Sequence, residues 1–433
     1  MINRRLSSRQ AAERLGVKPA TLYAYVSRGL LHPERTGRGS FFDLQEVIEL
    51  SRTSRRPGGP GQPSARSSRA RIPRAAPGEA ETIREDPVFV TELTLIADGH
   101  LYYRGRDAVE LSRSATFEEV AEWLWSGQWP TGPVDWEVPA AVAARAGRAL
   151  ADLDRATGLL ERFMVVLVAG SLGDQLRHDL TPSGLAVTSR ALLGLLSRSL
   201  GGGDREPTTG ARISHRLWDA LTGGRRAGGG DTERGVDAVE AALVLAADHE
   251  LAPSTLAARV AASFRADPYA VVLTGLGPAR GSSYAGSTGA PTEVEMMLAE
   301  ATQVGVERAI GERLRRSGGV PHGFGMPLYP GGDPRGAELL SRLEGIGDPA
   351  RLELVQRIVQ LGAERHFPEP NFDLGLGALS FCADMGPGAG QVIFTLGKIA
   401  GWLAHAMEEY AAPTRFRSRA DYVGVRPGPT AAS

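Results

Sequence analysis

Apolar residues recur with the period of an α-helix along most of the chain beyond residue 140. Apolar positions at i, i+3, i+4 and i+7 give a helix one apolar face, and several of these segments are apolar on more than one face. Helices of that kind are buried between other helices. The pattern predicts a multilayered all-α body with helices at 140–153, 159–172, 185–200, 210–221, 234–249, 255–265, 292–304, 337–344, 349–367 and 392–410.

A second pattern precedes this helical body. Residues 88–96 alternate apolar and polar positions as a strand does, Asp98-Gly99 is a turn sequence, and Leu101-Tyr102-Tyr103 reads as the returning strand. The sequence therefore predicts a β-hairpin at the start of the long domain. Trp123, Leu124 and Trp129 follow it as expected core residues.

Residues 321–335 break the helical pattern. They read Pro-His-Gly-Phe-Gly-Met-Pro-Leu-Tyr-Pro-Gly-Gly-Asp-Pro-Arg, which is too rich in proline and glycine for a helix interior or a central strand. The apolar side chains within them favour burial, and we expect this from Phe324, Met326, Leu328 and Tyr329. A rigid loop that packs into the body of a protein usually shapes a pocket.

The first 50 residues predict two short helices and a hairpin. Ser7-Ser8 can cap a helix whose inner side carries Ala11, Ala12 and Leu15, and Pro19 begins a second helix that can pack through Leu22, Val26 and Leu30. A turn with glycine between two short helices is typical of the helix-turn-helix motif. Gly37-Arg38-Gly39 before Phe41-Phe42 predicts a small wing, and Asp43 predicts the cap of a third helix.

Composition changes sharply between residues 51 and 80, where Arg, Ser, Pro and Gly dominate and apolar residues other than alanine nearly vanish. Such a segment cannot bury enough surface to offset its ordering entropy, which predicts a disordered basic linker. Its arginines can add salt-sensitive affinity for DNA, and a merely solvated spacer fits equally well.

The whole chain of 433 residues has a formal net charge of -1, 42% hydrophobic residues and 23% charged residues. These values indicate a soluble globular protein in which any attraction to nucleic acid is local. Cys382 is the only cysteine, which excludes an internal disulfide and a cysteine-rich metal site. No metal-ligand spacing, signal peptide or membrane-spanning run is apparent, so we expect no metal, no membrane contact and a cytoplasmic location.

The N-terminal segment resembles MerR-type and excisionase-type winged helices through Ala20-Thr21-Leu22-Tyr23-Ala24-Tyr25 and Arg28-Gly29-Leu30-Leu31. The resemblance implies DNA binding. Base edges are read by short polar groups and phosphates by arginines, which makes candidates of Thr21, Tyr23, Tyr25, Arg28 and Arg38. A small docking or dimerisation module is the alternative interpretation.

The long domain resembles the citrate synthase family in five ordered segments. These are Gly323-Phe324-Gly325-Met326-Pro327-Leu328-Tyr329 with Asp333-Pro334-Arg335, Ala247-Asp248-His249-Glu250, Gly277-Pro278-Ala279-Arg280-Gly281, Pro370-Asn371-Phe372-Asp373, and a closing stretch with Gly397-Lys398 and Arg417-Ser418-Arg419. The resemblance covers roughly residues 88–425 and implies large and small helical domains. Taken together, the sequence patterns and the two resemblances predict three parts. These are a winged helix-turn-helix domain at 1–50, a linker at 51–80 and a citrate synthase-like domain at 81–433, whose small domain lies near 270–385.

The resemblance also implies a chemistry. In the family a carboxylate removes a proton from acetyl-CoA, the enol attacks the ketone of oxaloacetate, and histidines stabilise the oxygens on which charge develops. Carried over by position, Asp373 is the base. The expected dicarboxylate contacts are His249, Arg335, Lys398 and Arg417, and Lys398 replaces an arginine, which removes a bidentate fork. No cofactor is expected to bind tightly, and acetyl-CoA or another acyl-CoA is the expected co-substrate.

Two positions depart from the family's catalytic pattern. Arg280 and Met326 stand where the family has its two catalytic histidines. A guanidinium has a pKa above about 12 and cannot cycle protons, and a thioether has no proton to donate. Ordinary citrate synthesis should be severely impaired unless His322, four residues before Met326, supplies an imidazole in its place.

Three functions remain open at this point. The first is a catalytically impaired, DNA-binding, metabolite-responsive regulator that binds an oxaloacetate-like dicarboxylate. The second is an active citrate or 2-methylcitrate synthase, and the third is a partner subunit of an intact paralogue. The family resemblance implies a dimer, a homodimer in the first two cases, with Arg417 entering the neighbouring site.

Overall fold

The structure is a computed structural model, and it divides the chain into two compact units, residues 1–71 and 72–433. In the first unit the structure describes residues 5–8, 11–12, 17, 21–22, 25–26, 30–36 and 39–43. In the second it describes 82–84, 89–412 apart from 133, 135, 155–156, 201–211, 225–228, 280–289 and 318–319, and 414–416. The predicted linker and the predicted third helix of the first unit lie outside these ranges.

The first unit contains a three-stranded antiparallel sheet of Arg5–Ser7, Gly39–Asp43 and Glu34–Thr36, in that spatial order. The pair Glu34–Thr36 and Gly39–Asp43 forms the predicted wing, with Thr36 opposite Gly39. Residues 8, 11–12, 21–22 and 25–26 are helical. Val17 N donates to Ala12 O and Leu30 N to Tyr25 O, which are the i to i−5 bonds typical of helix C-termini.

A small apolar core holds this unit together, and its buried members are Ala11, Ala12, Leu22, Leu31 and Phe42, with Tyr25 and Val26 packed against them. The prediction that Leu30 packs inward is wrong, because Leu30 is exposed and Leu31 is buried instead. The chain leaves the second helix at this point, so the helical period no longer selects the inner residue. The strand Arg5–Ser7 was not predicted.

The second unit begins with a parallel pair of strands, Thr82–Arg84 and Thr414–Phe416, that joins its first and last described residues. The predicted hairpin follows as Thr94–Ala97 and His100–Tyr103, with a short third strand at Arg106–Asp107. Asp98 and Gly99 both have positive φ, 52° and 79°, as a two-residue hairpin turn requires. The first strand begins later than predicted, at Thr94.

The rest of the second unit is helical, as predicted. Its helices are Ala108–Ser114, Phe117–Ser126, Ala140–Ala151, Leu159–Ser171, Pro182–Arg198, Ile213–Leu221, Gly229–Ala246, Pro253–Ser263, Pro268–Ala279, Ala290–Val304, Val306–Ser317, Pro334–Ser341, Pro349–Glu364, Phe372–Cys382 and Ala389–Ala411. Trp123 and Leu124 are buried as expected, and Trp129 is half-buried.

Beyond residue 140, three of these helices were missing from the predicted set. The helices Pro268–Ala279 and Phe372–Cys382 are apolar on nearly all sides, and Pro278 lies in the last turn of the former. Uniformly apolar segments give no helical period to read. The helix Val306–Ser317 is rich in Arg and Glu but has an apolar face, on which Val306, Ala309 and Ile310 are buried, and the prediction missed it.

The C-terminal helix Ala389–Ala411 is buried along most of its length and lies at the centre of this unit. Glycines let it approach its neighbours closely. A Cβ on Gly397 would lie 2.6 Å from the Cβ of Ala246, and a Cβ on Gly401 would lie 2.4 Å from the carbonyl oxygen of Ala247. The helix therefore crosses the end of Gly229–Ala246, which brings Lys398 close to Asp248. No helix in the described ranges is long and apolar enough to cross a bilayer.

Candidate active site

The predicted loop at 321–333 is held against the segment that precedes Asp373. Gly325 N donates to Glu369 O at 2.8 Å, Asn371 N to Gly323 O at 2.9 Å, and Asn371 Nδ2 to Gly325 O at 2.9 Å. Gly323 and Gly325 have φ values of +99° and +75°, which side chains rarely adopt. The two loops are thereby fixed side by side.

Burial within the loop follows the prediction for Phe324 and Tyr329, whereas Met326 is half-buried. The prediction for Leu328 is wrong, because this side chain lies in a turn and exposes 47% of its surface. Tyr329 N donates to Met326 O at 2.9 Å, which closes that turn and directs Leu328 outward.

Asp333 and Arg335 form a buried bidentate ion pair at the start of the helix Pro334–Ser341. Arg335 Nε lies 3.0 Å from Asp333 Oδ1, and Nη2 lies 2.8 Å from Oδ2. Asp333 also caps its own helix through Arg335 N at 3.1 Å and accepts from Phe372 N at 3.2 Å. One carboxylate therefore ties together the N-termini of two helices and the guanidinium between them.

Arg335 lies over two aromatic rings, with its guanidinium carbon 4.9 Å from the centroid of Phe372 and 5.6 Å from that of Tyr329. Burial acts to lower the pKa of Arg335, and the Asp333 carboxylate outweighs burial, so the pKa is raised and the charge is secure. Its third nitrogen, Nη1, has no hydrogen-bond partner in the described part of the chain. As a predicted carboxylate contact, Arg335 thus offers one donor that Asp333 does not already occupy.

His249 lies three residues beyond the helix Gly229–Ala246 and contacts the loop. Its Nε2 is 2.9 Å from the hydroxyl of Tyr329, and their ring centroids are 5.6 Å apart. Burial lowers the pKa of His249 well below its usual value, and the positive charges of Arg335 and Lys398 lower it further. The imidazole is therefore neutral near pH 7. Burial also raises the pKa of Tyr329 to about 12, so its hydroxyl keeps its proton.

Lys398 is buried in the middle of the C-terminal helix, with 3% of its surface exposed. It forms no hydrogen bond or ion pair with any described residue, and its Nζ lies 5.9 Å from the centroid of the Phe394 ring. Burial lowers the pKa of Lys398 to about 8, with Arg335 adding to the effect and Asp248 opposing it. An unpaired buried ammonium is costly, and an anion beside it would offset that cost.

Asp248 is a fully buried carboxylate near Lys398. Its Oδ2 accepts from Thr94 Oγ1 at 2.5 Å and from His405 Nε2 at 3.1 Å, whereas Oδ1 has no partner in the described part of the chain. Arg259 Nη1 lies 2.8 Å from His405 Nδ1, so the lone pair of this imidazole is on Nδ1 and its proton faces Asp248. His405 therefore links the carboxylate of Asp248 to the guanidinium of Arg259.

Asp373, the predicted base, is buried in the first turn of the helix Phe372–Cys382. Asn371 caps this helix by accepting from the backbone N–H groups of Asp373 and Leu374 at 3.0 and 3.2 Å. The positive end of the helix favours the carboxylate form of Asp373. His322, the predicted substitute donor, is half-buried and makes no hydrogen bond within the described residues.

The structure therefore places His249, Arg335 and Lys398 within electrostatic range of one another. Other predicted residues lie outside the described ranges: Arg280, Arg417, Tyr23, Arg28 and Arg38. Thr21 and Tyr25 are half-buried, and Tyr25 packs partly against the apolar core of the first unit.

Sequence reasoning missed the roles of Tyr329, Asp333 and Asp248. The spacing Asp-Pro-Arg at a helix start could have indicated the Asp333 cap, because aspartate is favoured at that position. No local sequence pattern could have paired Tyr329 with His249.

The described residues contain no cluster of His, Cys, Asp and Glu that could hold a metal ion. A surface groove of about 670 Å³, lined in part by His100, Arg106 and Trp129, contains none of the candidate residues.

Comparison with known proteins identifies relatives of both units. The model of the citrate synthase C-terminal domain matches residues 83–419, and the model of the MerR family of regulatory proteins matches residues 7–39. Citrate synthase 2 of Bacillus subtilis is 31% identical over 194 residues, which cover 44% of this chain and 51% of that protein. Citrate synthase of Haloferax volcanii is 27% identical over 76% of this chain and 90% of its own length.

Solved structures agree on the fold. Citrate synthase from Thermotoga maritima superposes with a TM-score of 0.64 at 22% identity, covering 80% of this chain and 96% of that one. A ternary complex of Thermoplasma acidophilum citrate synthase with carboxymethyl coenzyme A and oxaloacetate gives a TM-score of 0.63 at 21% identity, with coverage of 80% and 96%.

Proposed function

The chain belongs to the citrate synthase family, and we propose that it binds an oxaloacetate-like dicarboxylate while lacking the proton donors of the condensation reaction. The observation that carries this proposal is Lys398, a buried cation without a paired carboxylate among the described residues, near the free nitrogen of Arg335 and the neutral imidazole of His249. A ligand with two carboxylates would supply the missing negative charge.

The condensation needs a base and groups that stabilise developing charge on oxygen. Asp373 is present as a buried carboxylate at a helix N-terminus. Met326 cannot donate a proton, and Arg280 cannot exchange one near neutral pH. Loss of one such donor typically costs a factor of about a hundred to a thousand, and loss of a general acid costs a comparable factor. We infer that turnover with acetyl-CoA or another acyl-CoA is severely impaired.

The match of residues 7–39 to MerR regulators supports a DNA-binding role for the first unit. We therefore propose a metabolite-responsive regulator with a DNA-binding domain at 1–50, a basic linker at 51–80 and a ligand-binding domain at 81–433. Thr21, Tyr23 and Tyr25 are the proposed base contacts, and Arg28 and Arg38 the proposed phosphate contacts.

A homodimer is part of the proposal. Val168 and Leu172 expose 52% and 61% of their surface at the end of the helix Leu159–Ser171, and Leu176 exposes 49% just beyond it. Neighbouring exposed apolar side chains are typical of an interface. A symmetric dimer would present two DNA-binding domains and favour a palindromic site, with Arg417 reaching the partner's cleft.

An active condensing enzyme is the second candidate, favoured by the retained Asp373 and by relatives that include a 2-methylcitrate synthase from Shewanella oneidensis, 26% identical over 77% of this chain. Release of coenzyme A from acetyl-CoA or propionyl-CoA with oxaloacetate separates the two candidates. We expect calorimetric binding of oxaloacetate with turnover far below a typical enzyme rate of about 10 per second. Turnover within about a hundredfold of that rate would overturn the regulator proposal. A non-catalytic partner of an intact paralogue remains a third candidate.

The DNA-binding proposal has its own test. We expect the full-length protein to shift a DNA fragment from its own upstream region, with affinity that falls steeply as salt rises. Arg28→Ala should weaken the shift across all sequences, because a phosphate contact carries no base preference. Absence of a shift at low salt would remove this part of the proposal.

A further inference from the structure

Lys398 differs chemically from every other cation in the candidate site. It carries a primary amine, and the whole chain has only one other lysine, Lys18. An arginine at this position could only hold a carboxylate, whereas an unprotonated lysine is also a nucleophile. Buried lysines with few charged partners are the lysines that proteins use to form imines with carbonyl compounds.

The surroundings of Lys398 favour such a role. The C-terminal helix crosses the end of Gly229–Ala246 so closely that a Cβ on Gly401 would lie 2.5 Å from Asp248 Oδ1. This buried oxygen has no hydrogen-bond partner in the described part of the chain. Its carboxylate lies within electrostatic range of the Lys398 amine, and Lys398 in turn lies within electrostatic range of Arg335 and His249. A protonated imine at Lys398 would therefore face a fixed negative charge.

We propose that Lys398 captures a 2-oxo dicarboxylic acid covalently, as an imine between Nζ and the keto carbon. This inference rests on the proposed binding of such an acid in the same site. The Nζ lone pair attacks the keto carbon and forms a C–N bond, the oxygen takes up a proton, and the carbinolamine loses water as the C=N bond forms. No oxidant, reductant or additional reactant is required.

Two neighbouring groups can move the protons of this sequence. The hydroxyl of Tyr329 and Nε2 of His249 lie 2.9 Å apart, and together they hold one exchangeable proton and a neutral imidazole. The protons that Nζ releases as the C–N and C=N bonds form pass through this pair to the departing oxygen, and the reverse transfer accompanies the return of water. Asp248 stabilises the positive charge of the imine. Capture of the keto group thus uses residues that are present, and it avoids the two replaced catalytic histidines.

The imine has a further consequence for acids whose second carboxylate lies β to the keto group. The C–C bond to that carboxylate can break, with its electron pair entering the enamine and CO₂ leaving. Protonation of the enamine carbon and hydrolysis of the imine then release a 2-oxo monocarboxylic acid and restore Lys398. For oxaloacetate the released acid is pyruvate.

Borohydride trapping tests the proposal on the full-length protein. Oxaloacetate and sodium borohydride are added near pH 8, where a substantial share of the amine is unprotonated, and the protein is digested and mapped by mass spectrometry. We expect a reduced oxaloacetate or pyruvate adduct on Lys398, at least tenfold above any adduct on Lys18 or the terminal amine. L-malate, which has no keto group, should compete without forming an adduct.

Lys398→Arg is the matched variant, because it keeps the charge and removes the amine. We expect it to give no adduct and to bind oxaloacetate more weakly than wild type, because the covalent bond cannot form. Wild-type protein that binds oxaloacetate but yields no Lys398 adduct would overturn the imine and leave the proposed ligand intact. Wild-type protein that binds neither oxaloacetate nor malate would defeat the proposed function itself. Trapping and malate competition need only wild-type protein, so they decide the matter even if the variant does not fold.

Discussion

The hydroxyl of Tyr329 lies 2.9 Å from Nε2 of His249, although the two residues are 80 positions apart in the sequence. The contact joins the Pro/Gly-rich loop to the end of the helix Gly229–Ala246. Because His249 is neutral near pH 7, its Nε2 can either donate to or accept from this hydroxyl, and the bond holds the ring in place in both cases. The loop therefore fixes the position of the His249 ring, which is a predicted substrate contact.

Tyr329→Phe should weaken dicarboxylate binding with little effect on stability. The phenylalanine ring keeps the packing beneath Arg335, and the variant removes only the hydroxyl that orients His249. A neutral hydrogen bond contributes about 0.5 to 1.5 kcal/mol, which corresponds to a two- to tenfold rise in the Kd for oxaloacetate. Isothermal titration calorimetry measures this change. Tyr102→Phe, in the hairpin, is the control, and an equal loss in that variant would contradict the assigned role.

Asp333→Asn should destabilise the protein by about 3 to 5 kcal/mol. The buried guanidinium of Arg335 would lose both charged contacts, and an uncompensated buried charge is far more costly than a lost surface pair. Urea unfolding followed by circular dichroism measures the change. Asp237→Asn is the matched control, because Asp237 is 66% exposed and pairs with an arginine that keeps other partners. We expect that control to stay within about 1 kcal/mol of wild type. Similar losses in both variants would show that burial does not set the effect.

The sequence identified candidate site residues that lie near one another, but it did not identify the hydrogen bonds and ion pairs that hold them. His249, Arg335 and Lys398 lie in segments that resemble one family, and the structure brings them together. Their counterions were not predictable in the same way. The cap at Asp333 could have been inferred from its position before Pro334, but its bond from the distant backbone N–H of Phe372 could not.

The limits on predicting the fold have physical causes. Leu328 has the hydrophobicity of a core residue, but the turn closed by the bond from Tyr329 N to Met326 O turns its side chain toward solvent. The strand pair Thr82–Arg84 and Thr414–Phe416 joins segments more than 300 residues apart. Pairing of this kind depends on the folded body between the strands, and no local pattern encodes it.

Glu118→Gln should change how stability depends on pH. Glu118 and Glu240 are buried, and each accepts a bond from the first backbone N–H of a helix, from Ile213 N at 2.7 Å and from Phe117 N at 2.6 Å. Burial, and then the charge of Glu240, raise the pKa of Glu118 to about 7. The folded state thus holds this proton more tightly than the unfolded state.

The sign of the effect follows from that difference. The stabilising contribution of Glu118 is complete below about pH 4.5 and is lost as pH rises through about 7. The glutamine variant lacks this loss, so its unfolding free energy relative to wild type should rise by about 1 to 3 kcal/mol between pH 5 and pH 8. Urea unfolding at several pH values measures it. Glu353→Gln, at an exposed position, should show no such trend, and a flat difference for Glu118→Gln would refute the assignment.

Restoring the two histidines should restore condensation. Gly325 is hydrogen-bonded to Asn371, so Met326 and Asp373 each lie within two residues of the same contact. Each proton or hydrogen-bond donor in such a reaction contributes a factor of about a hundred or more. The double variant Arg280→His/Met326→His should therefore release coenzyme A from acetyl-CoA and oxaloacetate at least about tenfold faster than wild type, even with imperfect geometry. Adding Asp373→Asn to the double variant should abolish the gain, because the base would be missing. If the double variant is no faster than a wild-type protein that still binds oxaloacetate, the replaced histidines are not what limits this chain.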